Sequence, residues 1–334
     1  MNSFLYYGDS TSIPNYNCSQ FQKVDEPRII PGIIDIAFGV FVIFLYIPSL
    51  YVFYKQSRIV CFKIMFLLGI TDCGAITVNS VITGYLLIRG ASFCDSPNFI
   101  YISGAIGLGF WCSACMTCLI LVLNRTLDMV SPLLVKVYFR GYSTYFVLAC
   151  PIIYGLFFTF CTPPILFSAQ HRTWFFDPLI KKNMTLEYTN IPHTINNFGI
   201  VVLTTMLYVF FCLKVRKQFS KSSFRIKRTN RQRQIFIQST LLCMFHLSAS
   251  IVYVIMQFVT VPEWLTYFSQ YLWQLAHGCP VIVYLFFNHK VRGALLLLFS
   301  TTSSYQEKSS LFIPMSIQAN PPKSDELQPF NIKD

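Results

Sequence analysis

The sequence predicts an all-α membrane protein: a seven-transmembrane helix bundle with its N-terminus outside the cell and its C-terminus in the cytoplasm. Three observations lead to this prediction: an apolar composition, seven long stretches with almost no charge, and basic residues that concentrate on one side. Apolar residues make up 54% of the 334-residue chain and charged residues only 12%. This balance is typical of a chain whose solvent is lipid.

Seven stretches are long enough to cross the hydrocarbon layer, which requires about 20 mostly apolar residues in a helix. The first carries only Asp35 and the second only Asp72, and the other five carry no charge when His246 and His277 are counted as neutral. The predicted spans are Ile29–Tyr54, Ile64–Ile88, Asn98–Leu123, Tyr142–Phe167, Thr194–Leu213, Ile235–Val261 and Trp264–Asn288. Backbone groups in lipid must be paired within the segment, so we expect helices, with Pro163 and Pro164 as kinks in the fourth.

The distribution of basic residues predicts the orientation. Lys214–Arg233 contains nine Lys or Arg and no acidic residue, and it lies between the fifth and sixth spans. Such loops resist translocation and stay cytoplasmic. With the N-terminus outside, 20 of the 26 basic residues fall on the cytoplasmic side. A nucleic-acid-binding patch is the alternative, but the apolar composition disfavours it, so we expect a lipid bilayer and no nucleic acid as partner.

Three regions follow from this topology. Residues 1–28 form an extracellular segment, residues 29–299 the seven-helix domain, and residues 300–334 a polar tail that we expect to be a disordered cytoplasmic segment. The run HKVRGALLLLF after Asn288 is too short to span and suits a short helix at the inner membrane interface.

Two N-glycosylation sequons lie in the predicted outer segments. They begin at Asn17 and Asn183. A third match begins at Asn124, but the topology puts it on the cytoplasmic side, where we expect it to stay unmodified.

Asp72 lies near the middle of the second span, where an ionised carboxylate costs roughly 2.5 to 3.5 kcal/mol. Together with Asn79, two turns further on, it forms a candidate intramembrane polar site that holds water or a cation. A hydrogen-bonded packing residue is the equally weighted alternative. Asp35 lies nearer the outer face, where its carboxylate can reach water.

Neither a metal centre nor an enzyme is predicted. Cys112, Cys115 and Cys118 share one stripe of the third span, but a closed metal site needs a fourth ligand, so helix packing is the favoured interpretation. The five histidines fall on five different segments without a catalytic motif, so we assign no catalytic residue, no metal and no cofactor.

The inner end of the third span contains Asn124, Arg125 and Asp128. Arg125 is interpreted either as an ordinary positive anchor at the membrane surface or as a switch residue that exchanges polar partners between two bundle arrangements.

These features together resemble G-protein-coupled receptors: seven spans, Asn124-Arg125, Pro280 and Tyr284 in the last span, and a basic short helix after it. Within that group the chain is most similar to the nematode serpentine chemoreceptors of class T. The similarity includes Pro31-Gly32-Ile33-Ile34-Asp35, Leu68-Gly69-Ile70-Thr71-Asp72, Trp111-Cys112 and Trp174-Phe175-Phe176-Asp177-Pro178. Unlike rhodopsin-like receptors, the sixth span has no Pro.

The resemblance implies a disulfide and a ligand pocket. Cys94 matches the cysteine that normally bridges to the second outer loop, but that loop has no Cys here, which leaves Cys18 and Cys161 as candidates, with Cys18 favoured. The implied pocket lies among the outer halves of spans three, five, six and seven and is lined by Trp111, Asn196, Asn197, Tyr267 and Trp273. Aromatic residues at such places are alternatively interface anchors.

The function implied by the resemblance is that of a chemosensory receptor of the plasma membrane, with a sensory cilium as one expected location. It would bind an unknown external small molecule and signal to a heterotrimeric G protein, with Arg125, Asn124 and Asp128 at the coupling end. A ligand-gated channel or a small-molecule transporter is the alternative, although no half of the chain repeats the other.

Overall fold

The computed structural model describes most of the bundle and the N-terminal segment at one of its ends. The described residues are 1–19, 26–177, 188–219, 241–242, 244–256, 259, 261–288, 291–293 and 296. The sequon at Asn183, the basic loop from residue 220 onward, most of the predicted interfacial helix and the tail 300–334 lie outside the described residues.

The described chain is mainly helical. Its helices are α1 (Asn2–Tyr7), α2 (Ile29–Lys55), α3 (Val60–Ile76), α4 (Thr83–Arg89), α5 (Pro97–Val130), α6 (Pro132–Tyr138), α7 (Tyr142–Cys161), α8 (Ile191–Phe219), α9 (Met244–Met256) and α10 (Glu263–Phe287). A π-helical turn, Thr77–Ile82, joins α3 to α4, and 3-10 turns cover Ser10–Ser12 and Phe93–Asp95.

Five of the described helical segments are long and apolar enough to cross a membrane. They are Ile29–Lys55, Val60–Arg89, Pro97–Asp128, Tyr142–Cys161 and Ile191–Lys214. The helix α9 is apolar but shorter. The helix α10 has 25 residues, but its buried side chains include two glutamines and a histidine, which lowers its apolar character.

The helix α5 occupies the centre of the bundle, in contact with α3, α7 and α8. The helices around α5 expose apolar side chains on the surface of the bundle. On α7, Phe146 is 74% exposed and Ile153 is 65% exposed. A folded chain in water does not leave such a face uncovered, whereas lipid accepts it.

The helices α5 and α7 approach closely because glycines face each other at their crossing. A Cβ added at Gly155 would lie 2.8 Å from the carbonyl oxygen of Gly109 and 2.9 Å from the Cβ of Ser113. Small residues at such crossings allow backbones to pack where lipid offers no hydrophobic driving force.

The fourth span ends at Cys161, so its predicted end at Phe167 is wrong. Pro163 and Pro164 supply no backbone N–H, and a proline pushes the preceding residue out of the helical region. Thr162 is accordingly extended, with φ −122° and ψ 160°. The two prolines end the helix, where the sequence interpretation made them kinks.

The segment that follows forms a hairpin that the all-α prediction missed. Strand β1 (Leu166–Ser168) pairs antiparallel with β2 (Thr173–Phe175), with Phe167 opposite Trp174. The hairpin contacts α5 and α10. Trp174 Nε1 donates to Thr83 Oγ1 at 2.8 Å, which anchors the hairpin to the second span.

Replacing Gly155 by Ala should lower the free energy of unfolding of the detergent-solubilised protein by roughly 1 to 3 kcal/mol, because the added Cβ has no room against α5. The matched control is Gly199→Ala in α8, where an added Cβ meets nothing within 4 Å. This control should be neutral or stabilising, since Ala is a better helix former than Gly. Equal melting temperatures for the two variants would contradict the close crossing.

Candidate functional site

A fully buried carboxylate is the centre of the polar interior. Asp72 on α3 has no exposed surface. The Tyr46 hydroxyl lies 2.8 Å from Asp72 Oδ2 and 2.9 Å from the carbonyl oxygen of His277, and either can accept its proton. His277 Nδ1 lies 2.7 Å from Asp72 Oδ1. One carboxylate thus joins α2, α3 and α10.

A second buried imidazole completes this group. The ring of His246 on α9 stacks on Trp111 at 5.8 Å between centroids and meets the His277 ring edge-on at 5.4 Å. Cys118 Sγ lies 3.8 Å from His246 Nδ1. Of the three cysteines on the α5 stripe, Cys118 therefore contacts a polar group of another helix.

Neither histidine was among the predicted site residues, because their separation along the chain does not show that α9 and α10 bring them together. A weak signal was present: each is a polar side chain in an otherwise apolar span, and such residues usually face the bundle interior.

The π-helical turn of the second span forms another polar contact. Gln270 Nε2 and Gln274 Nε2 donate to the backbone oxygen of Asn79 at 2.7 and 3.0 Å. Turns of this kind widen a helix and are frequent at functional sites. Gln274 also hydrogen-bonds the carboxylate of Asp35. Asp35 is only 3% exposed, so the expectation that its side chain reaches water is wrong.

Three of the five predicted pocket residues lie together. Trp111 Nε1 donates to Asn197 Oδ1 at 3.1 Å, and Asn196 Nδ2 donates to the same oxygen at 3.0 Å. Tyr154 OH donates to Asn196 Oδ1 at 3.2 Å, and His193 Nε2 lies 3.3 Å from Asn197 Nδ2. This buried network connects α5, α7 and α8.

The other two predicted pocket residues lie apart from that network. Trp273 is buried on α10, where the edge of its ring would lie 3.6 Å from a Cβ added at Gly107. Tyr267 is partly exposed near the N-terminal end of α10, and the Arg172 guanidinium lies 4.9 Å from its ring centroid. A second outer contact of Tyr267 is its hydroxyl, 3.4 Å from Glu263 Oε2.

The N-terminal segment covers one end of the bundle. A disulfide joins Cys18 to Cys94, with the two Cα atoms 5.6 Å apart. Tyr16 packs edge-on against Phe93 and Tyr101. Burial raises the pKa of Tyr16 above its ordinary value, so its hydroxyl stays neutral at physiological pH.

A cavity of about 370 Å³ lies beneath this segment. None of the five predicted pocket residues lines it. Its walls are Met1, Asn2, Ser3, Ile13, Pro14, Asn15, Tyr16, Tyr101, Phe160, Cys161, Thr162, Pro163 and Tyr188.

The predicted coupling residues lie on one continuous helix, because α5 extends beyond the predicted end at Leu123. Asn124 is buried, Arg125 is partly buried and Asp128 is exposed. Among the described residues, neither Arg125 nor Asp128 forms a hydrogen bond or an ion pair.

Comparison with known proteins identifies the family. Residues 3–308 match the family model of the serpentine type seven-transmembrane G-protein-coupled chemoreceptors, Srt. The chain belongs to the Srt family of serpentine chemoreceptors. It is similar to serpentine receptor class T-55 of Caenorhabditis elegans, with 26% identity over 314 residues that cover 90% of this chain and 84% of the relative.

This Srt receptor is thus a multi-pass membrane protein whose interior carries two linked polar groups. The ring of Trp111 connects them: its Nε1 bonds Asn197 in one group, and its face and edge contact His246 and His277 in the other. A shift of one helix in this region would change hydrogen bonds on both sides of Trp111, because packed cores are not continuously deformable.

Removing the Tyr46 hydroxyl with Tyr46→Phe should lower the free energy of unfolding of the receptor by roughly 1 to 3 kcal/mol, since a buried carboxylate loses a donor. Thermal unfolding of the purified receptor measures this. The control is Tyr54→Phe on the same helix, a residue that is 63% exposed. A melting temperature of Tyr46→Phe equal to that of the control would show that the hydroxyl does not stabilise Asp72.

Proposed function

We propose that the receptor binds an external small molecule and passes the signal to a cytoplasmic heterotrimeric G protein. The observation that carries this proposal is the match of residues 3–308 to a chemoreceptor family. The mechanism is a population shift: a ligand favours one arrangement of the bundle only through its higher affinity for that arrangement. The linked polar groups around Trp111 supply contacts that differ between two arrangements.

The proposal includes seven spans, with the N-terminus outside. The Cys18–Cys94 disulfide supports this orientation, because the bond persists on an oxidising side of the membrane. Cys18 precedes the first span and Cys94 follows the second, so both lie on the side of the N-terminus. The basic run from Lys214 onward then lies in the cytoplasm, as the distribution of Lys and Arg favours.

The ligand site in this proposal lies between the outer cover and the Trp111–Asn197 network. The cavity beneath the N-terminal segment, about 370 Å³, has the size of a small-molecule site. Below it, Trp111, Asn196 and Asn197 offer an aromatic face and amide groups that can exchange their mutual hydrogen bonds for bonds to a ligand. Tyr267 and Trp273 are assigned to its α10 side.

The coupling site in this proposal is the inner end of α5. Arg125 would bind a polar group of the G protein in the active arrangement, with Asn124 and Asp128 beside it. The basic loop that follows α8 would border the same surface. We assign the receptor to the plasma membrane and, for a chemosensory role, to a sensory cilium.

Replacing Arg125 by Ala should reduce ligand-induced dissociation of a G protein by about tenfold or more, because the switch residue loses its charged contact. Cells that express the receptor and a G-protein dissociation sensor are exposed to a panel of small organic compounds, and the responding compound is used for the variants. Arg140→Ala, an exposed inner residue, is the matched control and should respond as the wild type does.

Two outcomes would contradict this function. An unchanged response of the Arg125→Ala variant would remove that residue from the coupling step. A compound-dependent ionic current in membranes free of G proteins, with no sensor response, would instead support the ligand-gated channel.

The orientation gives a separate prediction for glycosylation. In eukaryotic cells, a cleavable N-glycan should be present at Asn17 and be lost in Asn17→Gln, whereas Asn124→Gln should leave the glycosylation pattern unchanged. Mobility on a gel before and after endoglycosidase treatment measures this. Loss of a glycan in the Asn124→Gln variant would show the opposite orientation. So would an epitope tag inserted near Gln218 that antibodies reach on intact cells.

A further inference from the structure

Three titratable side chains from three helices meet in the bundle interior. One carboxylate oxygen of Asp72 and one ring nitrogen each of His246 and His277 lie within 4.8 Å of one another. The exposed fractions are 0% for Asp72 and His277 and 1% for His246. We call these three residues the Asp-His-His cluster. Buried polar groups of this number are expensive in a membrane protein unless they have partners.

The hydrogen bonds of the cluster leave coordination capacity unused. His277 Nδ1 contacts Asp72 at 2.7 Å, but its Nε2 is buried without a hydrogen-bond partner among the described residues. His246 Nδ1 lies 3.3 Å from the backbone oxygen of Leu242, an acceptor that favours a proton on that nitrogen. Its Nε2 is then unprotonated, since neutral imidazole carries one proton.

We propose that the Asp-His-His cluster binds a divalent transition-metal ion of the zinc class. Ligand atoms around a tetrahedral zinc ion are about 3.3 Å apart, as bond lengths near 2.0 to 2.1 Å require. Ligand atoms already within 4.8 Å need only small side-chain rotations to surround one ion. The ion would also compensate the carboxylate charge of Asp72 in the apolar interior.

The ligand types select the kind of ion. Imidazole suits zinc, copper, iron and nickel, whereas magnesium and calcium require an all-oxygen shell. Two imidazoles and one carboxylate oxygen therefore favour a zinc-class ion over an alkali or alkaline-earth ion. The Cys118 thiol lies outside this group of three, but its Sγ is 4.0 Å from His246 Nε2, so a side-chain rotation could bring it in as a fourth ligand. Binding through sulfur would release the thiol proton to solvent, because the ligand is the thiolate.

The surroundings support a site that is built rather than incidental. The Tyr46 hydroxyl holds the second oxygen of Asp72 at 2.8 Å, and the Trp111 ring packs on both imidazoles. Such supporting contacts orient metal ligands in known sites. The ligands belong to α3, α9 and α10, so one ion would fix three helices relative to each other. This proposal goes beyond the proposed function and does not depend on it.

The test uses the full-length receptor in nanodiscs, treated with a chelator and then given Zn²⁺ alone. Cys150, Cys161 and Cys212 are replaced by Ser to remove the exposed thiols of the described residues. We expect one bound zinc per receptor and a rise of about 4 °C or more in melting temperature, as saturating binding to the folded state requires. A similar rise with Na⁺ and none with Zn²⁺ would overturn the proposal.

The variants His246→Gln and His277→Asn should weaken zinc binding by about tenfold or more. Cys118→Ser tests the fourth ligand and should weaken it less. His171→Gln, at the hairpin outside the cluster, is the control and should bind as the parent does. Binding that is equal in the control and in both cluster variants would show an adventitious site and overturn the proposal.

Should the cluster variants fail to fold, X-ray absorption at the zinc edge of the folded parent decides. Two imidazole nitrogens at about 2.0 to 2.1 Å, an oxygen and at most one sulfur at about 2.3 Å would support the proposal. A shell dominated by sulfur or by water would overturn it.

Discussion

The burial of Asp72 is the constraint on which the arrangement of the bundle depends. A carboxylate in an apolar interior must be paired, and here Tyr46 and His277 approach it from α2 and α10 at 2.8 and 2.7 Å. These partners fix the relative position of three helices, while lipid-facing surfaces of apolar residues supply little specificity. Packing at the α5–α7 crossing adds close contact, but the polar partners set which faces turn inward.

How much of the fold follows from the sequence depends on whether the signal is local. The spans that became α2 and α5 were identified from composition, since length and lack of charge are local properties. The hairpin Leu166–Ser168 with Thr173–Phe175 was missed, because apolar strand residues continued the hydrophobic run of the fourth span. The two adjacent prolines mark the true end of the helix, because neither has a backbone N–H to continue the helical hydrogen bonds.

For the candidate site too, single residues could be predicted from the sequence, but contacts between helices could not. Asp72, Trp111 and Asn197 stood out as polar or aromatic residues in apolar spans, and the structure places all three inside. The grouping of His246 with His277 was not accessible, since the contact joins two helices whose relative rotation is set by tertiary packing. The contact of Tyr267 with Arg172 could not be predicted for a related reason: a position near the N-terminal end of α10 does not tell which way a side chain points.

The Cys18–Cys94 bond also bears on how the molecule is made. In the proposed orientation, residue 94 reaches the lumen of the endoplasmic reticulum only after two hydrophobic segments have been inserted. The Cys18 thiol must therefore stay reduced in the lumen until Cys94 has been translated and inserted. Oxidation then closes the cover late, which makes maturation of this receptor sensitive to the redox balance of the secretory pathway.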